Sequence, residues 1–396
     1  MKFETKTVHW ADRKKQGNYI PVTTPIHTAA SYVYDSMDQL DRIFGQEEQG
    51  PSYARFDNPT RSTLEELMRE LESGAGAVAC ASGMIAIHTG IMAALLDRPK
   101  RIICASAIYG ATAHLLMNIL GPLGVETTMV DLCDLKAFEE AVAEVKPGAV
   151  IMETISNPLL RVGAMDRISE ICRRANAPLI VDNTFATPLL VRPLELGAHI
   201  TVHSATKYLG GHGDVLGGVL VADQDCYDAA KSISRTLGPI MGPFDAYLTL
   251  RGIKTLGLRV TRQNENACRV ASYLASNPNV ERVYFPGDPK HPDAETIARL
   301  FPKGFYGAMV SFELKNAGRA EVFRFMEKLQ LVVRATSLGD VHTMILYPAM
   351  ASHRDLAPKQ RQRLGIHDNL VRLSVGIEAV EDIVADLEEA LSESRQ

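Results

Sequence analysis

The sequence predicts an α/β protein with a mostly parallel sheet in a large domain, followed by a smaller α+β domain. Between Thr60 and about Leu250, short apolar runs alternate with helical stretches, a pattern typical of a parallel sheet that is buried on both faces. The length of 396 residues also exceeds that of one ordinary domain. We therefore expect a second domain after the first.

The amino-terminal segment, residues 1–58, is predicted to be an arm rather than a domain. It is rich in loops, with PVTTPIHTAASYVY expected to be extended and GQEEQGPSYARFDNPTR expected to be exposed. Because such a short segment can hardly bury a core of its own, we expect it to contact a neighbouring subunit.

Residues 59–250 are predicted to form the large α/β domain, and residues 251–396 the carboxyl-terminal α+β domain. Strands of the first are expected in GAVACAS, RIICAS, AVIMETI, PLIVDN and HITVHSA, and helices in STLEELMRELES, IAIHTGIMAALL and MDRISEICRRAN. One or two long helices, with breaks at Gly252 and Gly257, link the domains. The second domain contains VERVYFP, YGAMVSFEL, AEVFRFMEKL, LVVRATS and LVRLSVGIE, and ends with an amphipathic helix in EDIVADLEEALSES.

Composition and charge favour a small-molecule ligand. The formal net charge is −5 with scattered Lys and Arg, which argues against nucleic acid or an anionic membrane as the main partner. The six cysteines are far apart in sequence, so we expect reduced thiols and no metal site. The first residues, MKFETKTVHWADRKKQ, lack the apolar stretch of a signal peptide, and no apolar run is long enough for a membrane span. A cytoplasmic location is expected.

A lysine and a carboxylate follow two apolar strands near the middle of the chain. The run ITVHS leads to Ala205, Thr206 and Lys207 before a glycine-rich turn, and PLIV leads to Asp182. Open α/β sheets bind their ligands at such strand ends. A desolvated lysine can form a Schiff base, and a buried carboxylate can hold a pyridinium nitrogen protonated. This pair predicts a site for pyridoxal phosphate (PLP).

Five motifs carry a resemblance to a known family, namely SATKYLGGHGDVLGG, VDNTFATP, YARFDNPTRSTLE, ASGMIAI and VRLSVGIE. From about residue 5 to 390, the chain closely resembles the Cys/Met-metabolism family of PLP enzymes. This family contains cystathionine γ-lyase, γ-synthase and β-lyase, methionine γ-lyase and the O-acylhomoserine sulfhydrylases. The resemblance implies the type I fold of PLP-dependent transferases, similar to that of aspartate aminotransferase.

The resemblance also implies roles in binding the cofactor. Lys207 would carry PLP and move protons, Asp182 would pair with the pyridine nitrogen, and Tyr109 would stack on the ring. A strand-to-helix turn at Ser82 is typical of an anion site, and the resemblance assigns the phosphate to the amides of Gly83 and Met84 and the hydroxyls of Ser204 and Thr206. Tyr53 and Arg55 match a YxR element that binds the phosphate of the adjacent subunit. A homotetramer made of two such dimers is therefore expected.

Substrate residues are implied in the same way. Arg372 would hold the α-carboxylate through its bidentate guanidinium, with Asn157 and Ser337 as further contacts to substrate and cofactor. Glu153 is open to two interpretations, because it could shape the same pocket or be an ordinary glutamate at a strand end. No metal is expected.

The implied reaction removes a proton from Cα, then one from Cβ, and expels a group from Cγ. Elimination releases a thiol, 2-oxobutanoate and ammonia, whereas replacement adds a thiol. Where cystathionine enzymes carry charge in the distal pocket, this chain has Ser52, Ala111 with His114, and Thr336. These residues favour a smaller, less polar γ-substituent, as in methionine, homocysteine or an O-acylhomoserine. The run SLGD, at residues 337–340, is more similar to methionine γ-lyases or sulfhydrylases.

Other features keep further subtypes open. Methionine γ-lyases carry a cysteine where this chain has Ala111, and a Lys-Asp pair where it has Leu237 and Gly238. The run TLGPIMGPFDAYLTLRGIKTL resembles the cystathionine enzymes instead. Cystathionine γ-lyase or γ-synthase, an O-acylhomoserine sulfhydrylase, and a non-catalytic PLP-binding protein are the alternatives to a methionine γ-lyase. The roles of His114 and His342 in the distal pocket also stay open.

Overall fold

The computed structural model describes residues 1–45, 47–48, 50–354 and 358–393, without the side chains of residues 360 and 363. Within these residues, seven strands form the larger sheet. They are β1 Gly76–Cys80, β2 Arg101–Ala105, β3 Glu126–Val130, β4 Ala149–Glu153, β5 Leu179–Asp182, β6 Ile200–Ser204 and β7 Gly218–Ala222.

The larger sheet is mostly parallel, as the sequence predicts. Its order is β1-β7-β6-β5-β4-β2-β3. Strands β3, β2, β4, β5 and β6 run parallel to one another, and β7 pairs antiparallel with both β6 and β1. Glu153, Asp182 and Ser204 are thus the last residues of three adjacent parallel strands, so their side chains lie at one edge of the sheet.

The α-helices of the described residues are α1 Phe3–His9, α2 Met37–Phe44, α3 Pro59–Leu71, α4 Gly83–Leu95, α5 Gly110–His114, α6 Leu135–Val145, α7 Met165–Arg174, α8 Thr187–Leu190, α9 Gln224–Leu237, α10 Pro243–Ile253, α11 Leu256–Ser276, α12 Ala294–Leu300, α13 Arg319–Lys328, α14 Pro358–Arg363 and α15 Val380–Glu393. Short 3-10 helices cover Gly121–Leu123 and Pro193–Leu196, and π-helical segments cover Leu115–Leu120 and Ala205–Leu209.

Side-chain caps begin the two helices that flank the first strand. Asn58 precedes α3, and its side chain accepts hydrogen bonds from the amides of Thr60 and Arg61, with Pro59 at the first helical position. Ser82 caps α4 in the same way, through the amide of Ile85. Apolar residues on both faces of the sheet are buried, because helices cover each face. This agrees with the continuous apolar runs of the strands.

Five strands of the described residues form the smaller sheet, namely β8 Val280–Tyr284, β9 Met309–Leu314, β10 Val333–Arg334, β11 Met344–Leu346 and β12 Leu370–Ser374. Their order is β10-β11-β12-β9-β8, and all pairs except β10–β11 are antiparallel. Helices α11, α13 and α15 pack against this sheet or one another. The predicted α+β character of the carboxyl-terminal part is therefore confirmed.

The link between the sheets differs from the expectation at one point. The break between α10 and α11 lies at Lys254 and Thr255, so the breaks placed at Gly252 and Gly257 were wrong. Gly252 serves a different purpose, since a Cβ there would lie 2.2 Å from the carbonyl oxygen of Gly210. The glycine lets α10 pack directly against the backbone that follows Lys207. The predicted domain division between residues 250 and 251 falls inside α10 and stays a prediction.

Membrane spans, cysteines and metal sites were also considered from the sequence. Among the described residues, no helix is both long enough and apolar enough to cross a membrane. All six cysteines are described and are free thiols, four of them buried. The described residues also contain no cluster of three or more side chains suited to a metal ion.

Candidate active site

A cavity of about 630 Å³ lies where β4, β5 and β6 end, and residues of the smaller sheet close its other side. Of the residues assigned to cofactor or substrate binding, all except three, Tyr53, Arg55 and His114, line it, namely Ser82, Gly83, Met84, Tyr109, Asn157, Asp182, Ser204, Thr206, Lys207, Thr336, Ser337 and Arg372. Ser52, Ala111 and His342, which were named for the distal pocket, do not line it. The structure therefore brings together residues that are up to 290 positions apart in the chain (Arg372 minus Ser82).

Lys207 lies in the π-helical segment directly after β6. Its backbone leaves the helical region, with φ −95° and ψ −130°. Its Nζ donates a hydrogen bond of 2.7 Å to Oγ of Ser337. Burial and, to a smaller extent, the nearby Arg372 guanidinium lower the pKa of Lys207 to about 8. A fraction of this amine is thus neutral near pH 7, the form that attacks a carbonyl.

Asp182 is the last residue of β5 and faces the cavity. Burial raises its pKa, and hydrogen bonds from Thr184 oppose the shift only in part. Its Oδ1 accepts the amide of Thr184 at 3.0 Å. Within the described part of the chain it forms no ion pair, so this buried carboxyl group would be stabilised as a carboxylate by a positively charged ligand.

Glu153 ends the neighbouring strand β4, where it pairs in register with Asp182. Its Oε1 accepts the amide of Tyr109 at 2.9 Å, and its Oε2 accepts the amide of Asn157 at 3.1 Å. Burial raises the pKa of Glu153 well above its ordinary value, and the nearby Asp182 raises it further. Two carboxyl groups therefore lie side by side at this edge of the sheet.

Arg372, on β12, is only 3% exposed. Its Nη1 donates to Oδ1 of Asn157 at 2.8 Å and its Nη2 to the carbonyl oxygen of Ser337 at 3.1 Å. Burial lowers its pKa to about 10. Among the described residues its Nε has no hydrogen-bond partner. A buried guanidinium with an unpaired donor is suited to binding a carboxylate.

Ser337 lies between the two cations and has an unusual backbone. Its φ is +125°, a region that residues other than glycine rarely adopt. This conformation directs the hydroxyl oxygen to Lys207 and the carbonyl oxygen to Arg372. Strain of this kind concentrates at functional sites.

The start of α4 forms one end of the cavity. The hydroxyl of Ser82 caps the amide of Ile85, which leaves the amides of Gly83 and Met84 without partners inside the helix. A Cβ on Gly83 would lie 2.9 Å from Cβ of Ser204, so only glycine allows this close packing. Thr206 exchanges hydrogen bonds with the backbone of Gly217. These groups can hold an anion.

Three predicted residues lie elsewhere in this chain. His114 is exposed at the end of α5, which carries it away from the cavity. Tyr53 is 44% exposed, and Arg55 donates a hydrogen bond to the carbonyl oxygen of Arg235 and lies 4.7 Å from the ring centroid of Phe56. The expectation that Tyr53 and Arg55 serve another subunit is compatible with this location, and all three roles stay predictions.

The cavity also contains residues that sequence reasoning did not single out. Thr184 accepts the amide of Ser204 through its hydroxyl at 2.9 Å, and the ring of Phe185 lies 5.9 Å from the guanidinium carbon of Arg372. Both belong to the motif VDNTFATP, directly after the predicted carboxylate. That position was the available signal, because the residues after a strand end form the wall of a ligand site.

These residues fit PLP. The unpaired amides at the start of α4 suit its phosphate, and the buried carboxyl group of Asp182 suits a protonated pyridine nitrogen. The lowered pKa of Lys207 suits a Schiff base with its aldehyde. The groups on which this fit depends are backbone amides of α4, a side chain at the end of β5 and a side chain in the π-helical segment after β6.

The family model for Cys/Met metabolism PLP-dependent enzymes matches residues 4–392. The chain belongs to this family. It is a PLP-dependent enzyme, and its α/β fold with a second, smaller sheet is that of the family's solved structures. The resemblance stated from the five motifs and the predicted cofactor are both confirmed.

Relatives within the family carry different names. An L-methionine gamma-lyase of Fusobacterium nucleatum subsp. polymorphum is 40% identical over 376 residues, or 94% of each chain. A cystathionine gamma-lyase of Bacillus subtilis (strain 168) is 39% identical over 371 residues, or 93% of this chain and 94% of that protein. A solved structure from Campylobacter jejuni subsp. jejuni that contains N'-pyridoxyl-lysine-5'-monophosphate has a TM-score of 0.91 and 29% identity, covering 99% of this chain and 100% of that one.

Proposed function

We propose that this enzyme is a carbon–sulfur lyase that carries out γ-elimination on L-methionine or L-homocysteine, with γ-replacement as a related activity. The observation that carries the proposal is the chemistry of the cavity wall. Among the described residues that line it, the charged or acidic side chains are Glu153, Asp182, Lys207 and Arg372. All of these lie at the end where the cofactor and the α-carboxylate would bind.

Apart from the carboxamide of Asn157, the rest of the wall is apolar or carries hydroxyl groups. It is formed by residues such as Ile87, Ile155, Leu216, Leu338, Thr336 and Ser352. Such a wall modestly favours an uncharged thioether or thiol over cystathionine, because it supplies no countercharge to the distal ammonium and carboxylate of cystathionine, which can stay hydrated at the exposed part of the wall near Thr336. Both carboxyl oxygens of Glu153 already accept hydrogen bonds from backbone amides, those of Tyr109 and Asn157.

The residues that would hold PLP are those at the start of α4, Asp182, Tyr109 and Lys207. When bound, PLP supplies an electron sink for the negative charge that develops at Cα of the substrate. Arg372 would bind the α-carboxylate through its unpaired Nε and the adjacent guanidinium nitrogen, and so fix the orientation of the Cα–H bond.

Lys207 would act as the base that removes the Cα proton. Its Nζ lies 2.7 Å from Oγ of Ser337, which holds the amine on the side of the cavity where Arg372 places the substrate. Tyr109, at the rim and 38% exposed, would assist proton transfer to the leaving sulfur. A positioned base of this kind contributes roughly 10²- to 10⁴-fold to the rate.

Cystathionine γ-lyase activity is the second candidate. The Bacillus subtilis relative supports it at 39% identity over 371 residues, as does the run TLGPIMGPFDAYLTLRGIKTL. The two candidates differ in whether the distal wall tolerates a charged amino acid, and Thr336 is an exposed wall residue at which a charge could be introduced.

The test compares kcat/KM for L-methionine, L-homocysteine, L-cystathionine and O-acylhomoserines, measured as 2-oxo acid released. We expect wild type to discriminate only weakly between cystathionine and methionine. Thr336→Glu should shift the ratio toward cystathionine by roughly 10- to 150-fold, because one charge-assisted hydrogen bond contributes about 1.5–3 kcal/mol. Thr336→Gln, of the same size without the charge, should leave the ratio near that of wild type. A wild-type preference for cystathionine of several orders of magnitude would establish the second candidate instead.

We also propose a cytoplasmic homotetramer, in which each pair of subunits shares its active sites through Tyr53 and Arg55. Exposed apolar side chains in the arm support a subunit contact there, since Val22 is 79% exposed and Val33 is 96% exposed.

A further inference from the structure

We propose that Glu153 is a positioning residue, whose carboxyl group holds the tyrosine side and the arginine side of the cavity at a fixed distance from each other. The inference rests on the proposed function for the roles of Tyr109 and Arg372. It assigns to Glu153 neither contact with the reacting atoms nor a proton transfer.

The carboxyl group of Glu153 contacts two loops. Glu153 ends β4, and its two oxygens accept amides from two separate loops, that of Tyr109 and that of Asn157. The first amide lies 44 positions earlier in the chain and the second lies four positions later. A single side chain therefore joins the loop that follows β2 to the loop that follows β4.

Hydrogen bonds continue from Asn157 to the smaller sheet and to Lys207. Oδ1 of Asn157 accepts Nη1 of Arg372 at 2.8 Å. Nη2 of Arg372 donates to the carbonyl oxygen of Ser337 at 3.1 Å, and the hydroxyl oxygen of Ser337 accepts Nζ of Lys207 at 2.7 Å. A series of hydrogen-bonded residues thus runs from Tyr109 through Glu153, Asn157, Arg372 and Ser337 to Lys207.

Placing a carboxyl group at residue 153 has an electrostatic cost. Glu153 faces the cavity beside Asp182, and burial together with this neighbouring acid disfavours its charged form. An ordinary glutamate at a strand end would point to water and avoid this cost. Hydrogen bonds from two backbone amides, at 2.9 and 3.1 Å, offset this cost. Both bonds form only while the two loops keep these positions.

The chain offers a matched control in Asp386 of α15. Its Oδ1 accepts the amide of Gln330 and its Oδ2 the amide of Val332, both at 2.8 Å. Asp386 is 8% exposed and does not line the cavity. It performs the same clamping of two backbone amides, so Asp386→Asn reports what loss of such a clamp does to stability alone.

The experiment compares PLP-loaded wild type, Glu153→Gln and Asp386→Asn by three measurements. These are the thermal unfolding midpoint, the visible circular dichroism of bound PLP, and the dissociation constant of L-norvaline from the change in cofactor absorbance. L-Norvaline carries the α-carboxylate but no leaving group at Cγ. Each variant places an amide NH2 against a backbone N–H, so both should lower the unfolding midpoint.

Only Glu153→Gln should change the other two measurements. We expect its dichroism band to shrink, because the ring of Tyr109 is no longer fixed, and its dissociation constant to rise by roughly 5-fold or more. Glu153→Asp, which keeps the acid but is too short to reach both amides, should change them in the same direction and serves if Glu153→Gln does not fold.

An unchanged dichroism band and dissociation constant in Glu153→Gln, with a lowered unfolding midpoint like that of Asp386→Asn, would overturn the proposal. If wild type shows no saturable response to L-norvaline, the proposed function fails. The positioning role is then decided by the dichroism band alone, whose reduction in Glu153→Gln supports it and whose constancy refutes it.

Discussion

Lys207 and Asp182 face one cavity, and burial shifts their pKa values in opposite directions. The pKa of Lys207 falls to about 8, and the pKa of Asp182 rises. Both shifts favour the neutral form, because a charge in this cavity has lost most of its hydration. A cofactor with an aldehyde and a basic ring nitrogen would use both groups, the amine as a nucleophile and the carboxyl group as a counter-ion.

The pKa of Lys207 leads to a prediction for the protein without PLP. As the pH rises, the amine loses its proton near pH 8 rather than near 10.5, so its reactivity toward acetic anhydride should rise with pH and reach half of its maximum at about pH 8. Competitive labelling followed by mass spectrometry measures this for the peptide that carries Lys207.

The exposed Lys136, whose side chain is 88% exposed, supplies the reference for reagent decay in the same samples. Arg372→Ala should move the midpoint for Lys207 upward, because it removes a neighbouring positive charge. A midpoint for wild-type Lys207 at or above pH 10 would contradict the desolvation that the structure indicates.

At the scale of elements, the sequence predicted best what is continuous and buried. Strands β4, β5 and β6 were expected because each is a mostly apolar run of four or five residues. In the structure, every residue of these strands except the last is buried. The edge strand β3 was not, since ETTMV is partly exposed and carries few apolar residues. The three-residue strand β11 is too short to produce a pattern.

The candidate site shows the same limit at a longer range. Its residues were found because they follow strand ends or match motifs, but their partners come from distant parts of the chain. Lys207 and Ser337 are 130 positions apart, and Asn157 and Arg372 are 215 apart. No local pattern specifies such pairs, so the role of Glu153 between two loops could be argued only from coordinates.

The whole molecule places its cavity between the two sheets, and the loop of Tyr53 and Arg55 lies apart from it. If that loop serves a neighbouring subunit, Lys207→Ala and the double variant Tyr53→Ala/Arg55→Ala should each be nearly inactive. Unfolding and reassembling an equal mixture should then give hybrid dimers with one intact site each. We expect about a quarter of wild-type activity, because half of the randomly formed dimers are hybrids.

Wild-type protein that is unfolded and reassembled in the same way is the control for recovery. A mixture that regains no activity, while the control does, would mean that the loop acts within its own subunit. The proposed sharing of active sites between subunits would then be wrong, although the cavity of each chain would be unaffected.

Lys207 is the residue that we propose to bind the cofactor in this cavity. The most direct measurement is to reduce the PLP-loaded enzyme with sodium borohydride, digest it, and locate the phosphopyridoxyl group by mass spectrometry. We predict that the group lies on Lys207 and that Lys207→Ala protein, treated in parallel, carries none. A phosphopyridoxyl group on another lysine, with Lys207 unmodified, would show that Lys207 is not the residue that binds the cofactor.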